Sequence, residues 1–229
     1  MNKKVLDGIY EFMAKAYQGN WQYRFGDTPF MTEMNGKGKR ESILAHQWAL
    51  MEFWFLLRRV CPSLDKTVDS LKLYEMIINH DLGETVNGDI SLTRQMAGEG
   101  RDKHLAEHDQ IKLLTKSLDP KIAGDILHYF DDYEAKIEDA RTIEVLVVRF
   151  LDYLEGHHFA LTFGNDLVEH SELIGKIVND RWVKFTQRLI DVLRETGFSE
   201  ASEEVKKVAE HHMNDIFGVG IKFDFEGFK

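Results

Sequence analysis

Cysteine is almost missing from this chain. Cys61 stands alone, which excludes an intramolecular disulfide and any multi-cysteine metal cluster, and suits a reducing compartment. Proline is scarce too: with only Pro29, Pro62 and Pro120, long helices can run uninterrupted. No apolar stretch is long enough to span a bilayer, since the densest, Trp48 to Leu57, is broken by Glu52. The first residues, Met1 to Asp7, carry basic groups but no apolar run behind them, so no signal peptide is expected. Positive charge is short as well. Against 39 acidic residues stand 29 basic ones, a net −10, which makes the chain a poor candidate for gripping a nucleic acid polymer. What remains is a globular composition, 43% hydrophobic and 30% charged over 229 residues. The expectation is a soluble, cytoplasmic protein with neither membrane nor nucleic acid as partner.

Helical spacing dominates. Val5, Ile9, Phe12, Met13 and Ala16 form one stripe. A polar and aromatic stretch follows, about Gly19 to Arg40, broken by Gly26, Pro29, Gly36 and Gly38. Further helices are predicted over about Ser42–Val60, Asp65–Gly83, Arg101–Leu118, Pro120–Tyr133, Asp139–Phe163, Val168–Glu195 and Glu200–Phe217. Pro62 ends the first of these, the Asn87-Gly88 turn follows the second, and Pro120 suits a first helical turn. No segment alternates with period two, so no sheet is expected. The reading is one all-α domain over residues 1–229.

Three helices share an oddity. Ala45-His46-Gln47-Trp48, Ile77-Ile78-Asn79-His80-Asp81-Leu82 and Val148-Arg149-Phe150-Leu151-Asp152 place ionisable groups in helices that are apolar on most sides. Such helices are normally buried, and an uncompensated buried charge costs several kcal/mol, to order of magnitude. Two imidazoles and two carboxylates converging on one divalent cation would compensate all four. Separate pairing, for instance Asp152 with Arg149 one turn earlier, is the other reading. Mixed imidazole and carboxylate ligation without thiolate suits manganese, cobalt, iron, nickel, zinc or, less well, magnesium. Glu84 lies four residues after His80, on the same side one turn on. Asp89 follows the Asn87-Gly88 turn and can curl back over the site.

These residues resemble a known family. Glu41-Ser42-Ile43-Leu44-Ala45-His46, then His80-Asp81-Leu82-Gly83-Glu84 with Gly88-Asp89-Ile90, then Arg149-Phe150-Leu151-Asp152 are similar to the HD-domain metal-dependent phosphohydrolases, and to their 5′-deoxynucleotidase branch in particular. Lys103-His104, Glu107 and Asp132-Tyr133-Glu134 also fall where that branch has similar residues. The resemblance covers about residues 20–165 and leaves a C-terminal extension, about 166–229, without a family role. It implies an HD-type helical domain in which His46, His80, Asp81 and Asp152 bind one metal ion, while Glu84 and Asp89 handle protons and position phosphate and water. It implies a nucleotide substrate, a possible homodimer, and an upstream arginine and aromatic residue that hold phosphate and sugar. The candidates for these are Arg24, Phe30 and Arg40. Ala45 stands where the family often has an acid, and Gly36-Lys37-Gly38-Lys39 reads as an insertion. A nucleoside triphosphate hydrolase with the same metal core, and a non-catalytic nucleotide-binding protein, are the alternatives.

Other signals compete. Lys37, Lys39 and Arg40 precede a helix N-terminus and could offset the acidic field towards a phosphate; a solvated loop is the plainer reading. His104-Leu105-Ala106-Glu107-His108 matches an inverted zinc-protease pattern, although two histidines on a solvated face explain it too. His157-His158 read as structural or exposed, and His211-His212 as surface residues. Trp182, Phe185, Leu189, Ile190 and Leu193 form a stripe that suits a core or a dimer interface. The aromatic tail Phe217 to Phe225 suggests docking, on its own chain or on a partner.

Overall fold

The structure, a computed structural model, describes residues 3–26, 28–31, 40–90, 94–95, 98, 103–134, 139–140 and 142–229. It is all-α: among the described residues there is no strand. The helices are α1 Lys3–Ala16, α2 Ile43–Val60, α3 Pro62–Thr67, α4 Ser70–Asn79, α5 Glu84–Asn87, α6 Lys103–Thr115, α7 Pro120–Glu134, α8 Ile143–Phe163, α9 Ser171–Ile177, α10 Lys184–Glu195 and α11 Ser199–Gly218. Short 3-10 turns cover Tyr17–Asn20 and Pro29–Met31.

Local chemistry sets the boundaries. Ser42 caps α2 by accepting the Ala45 N–H, as a hydroxyl does at a helix start. The expected continuous helix from Asp65 to Gly83 is interrupted twice. Val68 and Asp69 are extended, and the Asp69 carboxylate caps α4 by accepting from the Leu71 and Lys72 N–H groups. The helix then stops at Asn79, so His80 to Gly83 form a turn ahead of the single turn of α5. Glu204 of α11 reaches across to accept from the Ser63 and Leu64 N–H groups at the start of α3.

Helix α8 is the hub. It packs on α2, α4, α7 and α10 and buries Val145 to Val148, Phe150, Leu151 and Leu154. Its apolar surround therefore does mark a central helix. Helix α2 differs, because Trp48, Phe55 and Leu56 are exposed while His46, Gln47, Leu50 and Trp54 face inward. The stretch expected as one helix from Val168 to Glu195 starts at Ser171 and contains a π-helical turn, Val178–Val183. The Trp182 stripe is core: Trp182, Leu189, Ile190 and Leu193 are fully buried, each contributing about 1.5–3 kcal/mol. The C-terminal tail docks on its own chain, burying Ile221 and Phe228 and laying Phe223 over Gly175. His212, expected at the surface, is buried on α11 against Trp182. No helix is long and apolar enough to cross a membrane, among the described residues.

Candidate metal centre

The fold brings His46, His80 and Asp81 into one close set of donors, with Asp152 beside His46. His46 sits on the first turns of α2, His80 and Asp81 on the turn that ends α4, and Asp152 midway along α8. His46 Nε2 lies 3.2 Å from Asp152 Oδ1 and 3.6 Å from Asp81 Oδ2. His80 Nε2 lies 3.2 Å from Asp81 Oδ2. Ligand bonds of about 2.0–2.2 Å at near-right angles place neighbouring donors about 3 Å apart, so this spacing suits one shared ion. Arg149 does not pair with Asp152. Its guanidinium donates to the Tyr133 carbonyl and lies over the Tyr133 ring.

Both imidazoles are tethered from behind. His46 Nδ1 meets Glu155 Oε2 at 2.6 Å, and His80 Nδ1 meets the Ile77 carbonyl at 2.8 Å. Each carbonyl or carboxylate is placed to accept an Nδ1 proton, so that the neutral imidazole turns its lone pair on Nε2 towards a cation. His46 Nε2 and His80 Nε2 are buried without a hydrogen-bond partner. Orphaned buried nitrogens are costly, and two of them beside the shared Asp81 carboxylate fit a cation of the borderline class that imidazole and carboxylate suit. Asp152 is steadied from two sides, by the Tyr133 hydroxyl donating to Oδ2 at 2.6 Å and by Arg24 Nη2 at 3.4 Å.

Arg24 owes its place to backbone pairing. Tyr23 and Ser42 form an isolated antiparallel bridge, and the Arg24 N–H donates to the Glu41 carbonyl at 3.0 Å. Its guanidinium is thereby inserted between Glu41 and Glu155, at 3.2 and 3.1 Å, and abuts His46 Nδ1. Glu41, His46 and Glu155 form a second close set of donors, but Arg24 fills the space among them. Phe25, next along, adopts a left-handed backbone (φ 62), a sparsely used conformation for such a residue. It turns its ring onto Phe159 at 5.8 Å.

A cavity of about 480 Å³ opens beside these donors, lined by Arg24, Phe25, Phe30, Asp81, Glu84 and Asp89 among others. Of the sequence candidates, Arg24, Phe30, Glu84 and Asp89 reach it. Arg40 does not: it is exposed and lies over the Tyr23 ring. Lys37 and Lys39 lie outside the described residues. His104 is stacked on Phe130 and His108 faces Asp131. Neither joins a set of three donors among the described residues, so the zinc-protease pattern does not assemble.

Electrostatics divide the acids into two groups. Burial opposes ionisation of Asp81 and Asp152, yet His80 and His46 beside them hold both well below the usual range. Burial likewise opposes a charged His46, but Glu155 and Asp152 outweigh it and raise its pKa to about 10. Glu84 goes the other way: burial, then Asp81 and Asp89, push it well above the usual carboxylate value, against the pull of Lys103 at 2.5 Å. Asp89 is raised by burial against the pull of Lys103 and Arg24. Burial lifts Glu107 to about 7. Gly83 lets α5 approach α6, because a Cβ there would stand 2.6 Å from the Glu107 Cβ.

Sequence reasoning missed Glu155 and Phe25 as site residues, and named Tyr133 only within the family resemblance, without a role. Glu155 carried a readable signal, since it stands one helical turn after Asp152 on the same face.

A family model described as an HD domain matches residues 32–188 of the chain. The 5′-deoxynucleotidase HDDC2 of Dictyostelium discoideum is 27% identical over 117 residues, which cover 50% of this chain and 58% of that protein. The chain therefore matches less than two thirds of that relative's length. A crystal structure described as a predicted metal-dependent phosphohydrolase from Magnetospirillum magnetotacticum superimposes with a TM-score of 0.59 at 19% identity, over 93% of this chain and 95% of that one. It shares the fold.

Proposed function

The chain belongs to the HD-domain family, and from that premise we propose that it is a metal-dependent phosphohydrolase that removes the 5′-phosphate from deoxynucleoside monophosphates. The observation that carries the reading is the pair of buried histidines whose Nδ1 atoms are tied back and whose Nε2 atoms stand unpartnered beside Asp81 and Asp152. The substrate class is supported by the similarity to a 5′-deoxynucleotidase and by a cavity large enough for a nucleotide.

His46, His80, Asp81 and Asp152 would hold the ion. A divalent metal there supplies Lewis acidity towards a phosphoryl oxygen and lowers the pKa of water towards about 7. The remaining steps fall to the chain's own residues. Arg24 and Tyr133 fix the Asp152 carboxylate, and Arg24 brings a cation to the donor end of the cavity. Phosphoryl transfer needs positioning and charge stabilisation above all, and Lys103 adds a second cation at the lining. Glu84, raised by burial and by two acidic neighbours, is suited to carry a proton and release it to the leaving 5′-oxygen. Asp89, facing the same space, is placed to orient the water and phosphate.

The test is a screen for phosphate release by the purified protein, stripped of metal and then given Co²⁺, Mn²⁺, Mg²⁺ or Zn²⁺. Orthophosphate and nucleoside from deoxynucleoside monophosphates are expected, with Asp81→Ala lowering kcat/KM by at least about 10³-fold, the scale of losing a main electrostatic contributor. Triphosphate or pyrophosphate release would move the substrate to nucleoside triphosphates. Full activity of the Asp81→Ala protein at equal metal loading would overturn the mechanism.

A further inference from the structure

The cavity has two unlike ends. One is the donor cluster with its carboxylates. The other is built by Tyr153 of α8, Ile177 at the end of α9, Asp180 and Arg181 of the π-helical turn, and Lys184 and Phe185 at the start of α10. Asp180 at this second end pairs with Lys184 at 3.3 Å.

We infer that this wall is a nucleobase subsite in which Arg181 is the specificity-determining contact. The inference rests on the proposed function and names the part of the substrate that the metal centre does not reach. Its framework is rigid. Trp182, the residue after Arg181, is fully buried, donates from Nε1 to the Phe150 carbonyl at 3.3 Å, and is boxed edge-on by His157, His212 and Phe228. Phe150 lies on α8 just ahead of Asp152. The π turn is therefore registered to the same helix that carries a metal donor, and Arg181 projects from a fixed base at a set remove from the phosphate end. Turns of this kind inside helices recur at functional sites.

The chemistry of the wall favours a flat, uncharged ring over additional phosphates. Tyr153 and Phe185 stack on each other with ring centroids 6.0 Å apart, and Ile177 and Ala160 add apolar surface. Lys184 pairs with Asp180, and Arg149, which also lines the cavity, is committed to the Tyr133 carbonyl and to the Tyr133 and Phe185 rings, which leaves Arg181 as the uncommitted guanidinium of this wall among the described residues. A polyphosphate demands several cations. A base demands an apolar wall and a planar partner, and a guanidinium supplies that face, whereas an ammonium does not.

The experiment compares wild type, Arg181→Ala and Arg181→Lys on a deoxynucleoside 5′-monophosphate and on 2-deoxyribose 5-phosphate, which keeps sugar and phosphate and lacks the base. Wild type is expected to prefer the nucleotide at least tenfold in kcat/KM. Both variants are expected to lose at least fivefold of that preference through the nucleotide's KM, with kcat and the sugar phosphate little changed. In parallel, saturation-transfer NMR on the metal-stripped protein is expected to show base protons of deoxynucleosides in contact, and to lose them in Arg181→Ala. If Arg181→Lys behaves as wild type, the side chain reads charge and the subsite is overturned. Equal hydrolysis of nucleotide and sugar phosphate by wild type also overturns it, while leaving the phosphohydrolase standing. Arg181-dependent binding of deoxynucleosides without hydrolysis of either ester would instead sink the proposed function and keep the subsite.

Discussion

Glu155 takes the Nδ1 proton of His46 at 2.6 Å and is held charged by that imidazole and by Arg24, against the opposition of burial. A carboxylate is an acceptor only, so it dictates one tautomer and leaves Nε2 bare; a carboxamide can present either end. Outer-shell partners of this kind are worth about 10–100-fold in metal affinity. Glu155→Gln is therefore expected to weaken metal binding by that factor in calorimetric titration, with the far-ultraviolet circular dichroism of the metal-free protein unchanged. Unaltered affinity would show that the Ile77 carbonyl behind His80 and the two aspartates suffice. That His46, His80, Asp81 and Asp152 would come close together was legible from the sequence, because each is an ionisable group in an otherwise apolar stretch with helical spacing. Their supports were not. Tyr133 in α7 is marked by the family resemblance, but its role shows only when the fold brings its hydroxyl to Asp152. Arg24 and Arg40 could not be ranked by spacing, since the Tyr23–Ser42 bridge decides which of them enters the site.

Helix α8, the π-helical turn and α11 meet at a stack of imidazole and indole rings: His157 and His212 lie 5.5 Å apart at an interplanar angle of 4°, with Trp182 edge-on to both. Burial pushes His157 down to about 3, helped by His212. Burial also pushes His212 down to about 4, with Asp215 opposing and His158 and His211 adding slightly. The unfolded chain takes up these protons near the ordinary value of 6.5, while the folded state holds them off until about 3 and about 4. In that window the unfolded state binds more protons, so stability present above 6.5 is lost as the pH falls. His212→Phe removes one of the two titrations. Between pH 7 and pH 5, denaturant unfolding should show the variant losing about 1–2 kcal/mol less than wild type, and equal losses would mean that His212 is already protonated in the fold. The spacing of Val205, Ala209, His212, Met213 and Ile216, all buried, was a readable 3–4 stripe that included the histidine; reading His211-His212 as a pair hid it. The break at Asp69 was readable as well, through a cap residue followed by Ser70. The π turn had no signature, because one extra residue per turn leaves an apolar stripe almost unchanged over six residues.

The molecule as a whole is acidic, at −10, and it gathers Glu41, Asp81, Glu84, Asp89, Glu107, Asp152 and Glu155 around Arg24 and Lys103. Seven carboxyls against two cations cannot all ionise in a desolvated space. Burial accordingly raises Glu41 to about 8, as it raises Glu107 to about 7, so protons stand in for missing positive charge. A divalent ion seated between the two Nε2 atoms and the two aspartates would relieve this strain, and the folded state alone can offer that geometry, because the donors come from α2, the turn after α4, and α8. Binding to the folded state alone stabilises by RT ln(1 + [L]/Kd), about 2.7 kcal/mol at a hundredfold excess over Kd. Adding Mn²⁺ or Co²⁺ to the chelator-stripped protein should therefore raise the unfolding temperature by several degrees, on the scale of about 2–4 °C per kcal/mol for a chain of this size. The rise should saturate at one ion per chain and vanish in Asp81→Ala. A shift that survives that substitution, or that keeps growing past one equivalent, would place the ion elsewhere on the acidic surface and leave the two buried imidazoles without a partner.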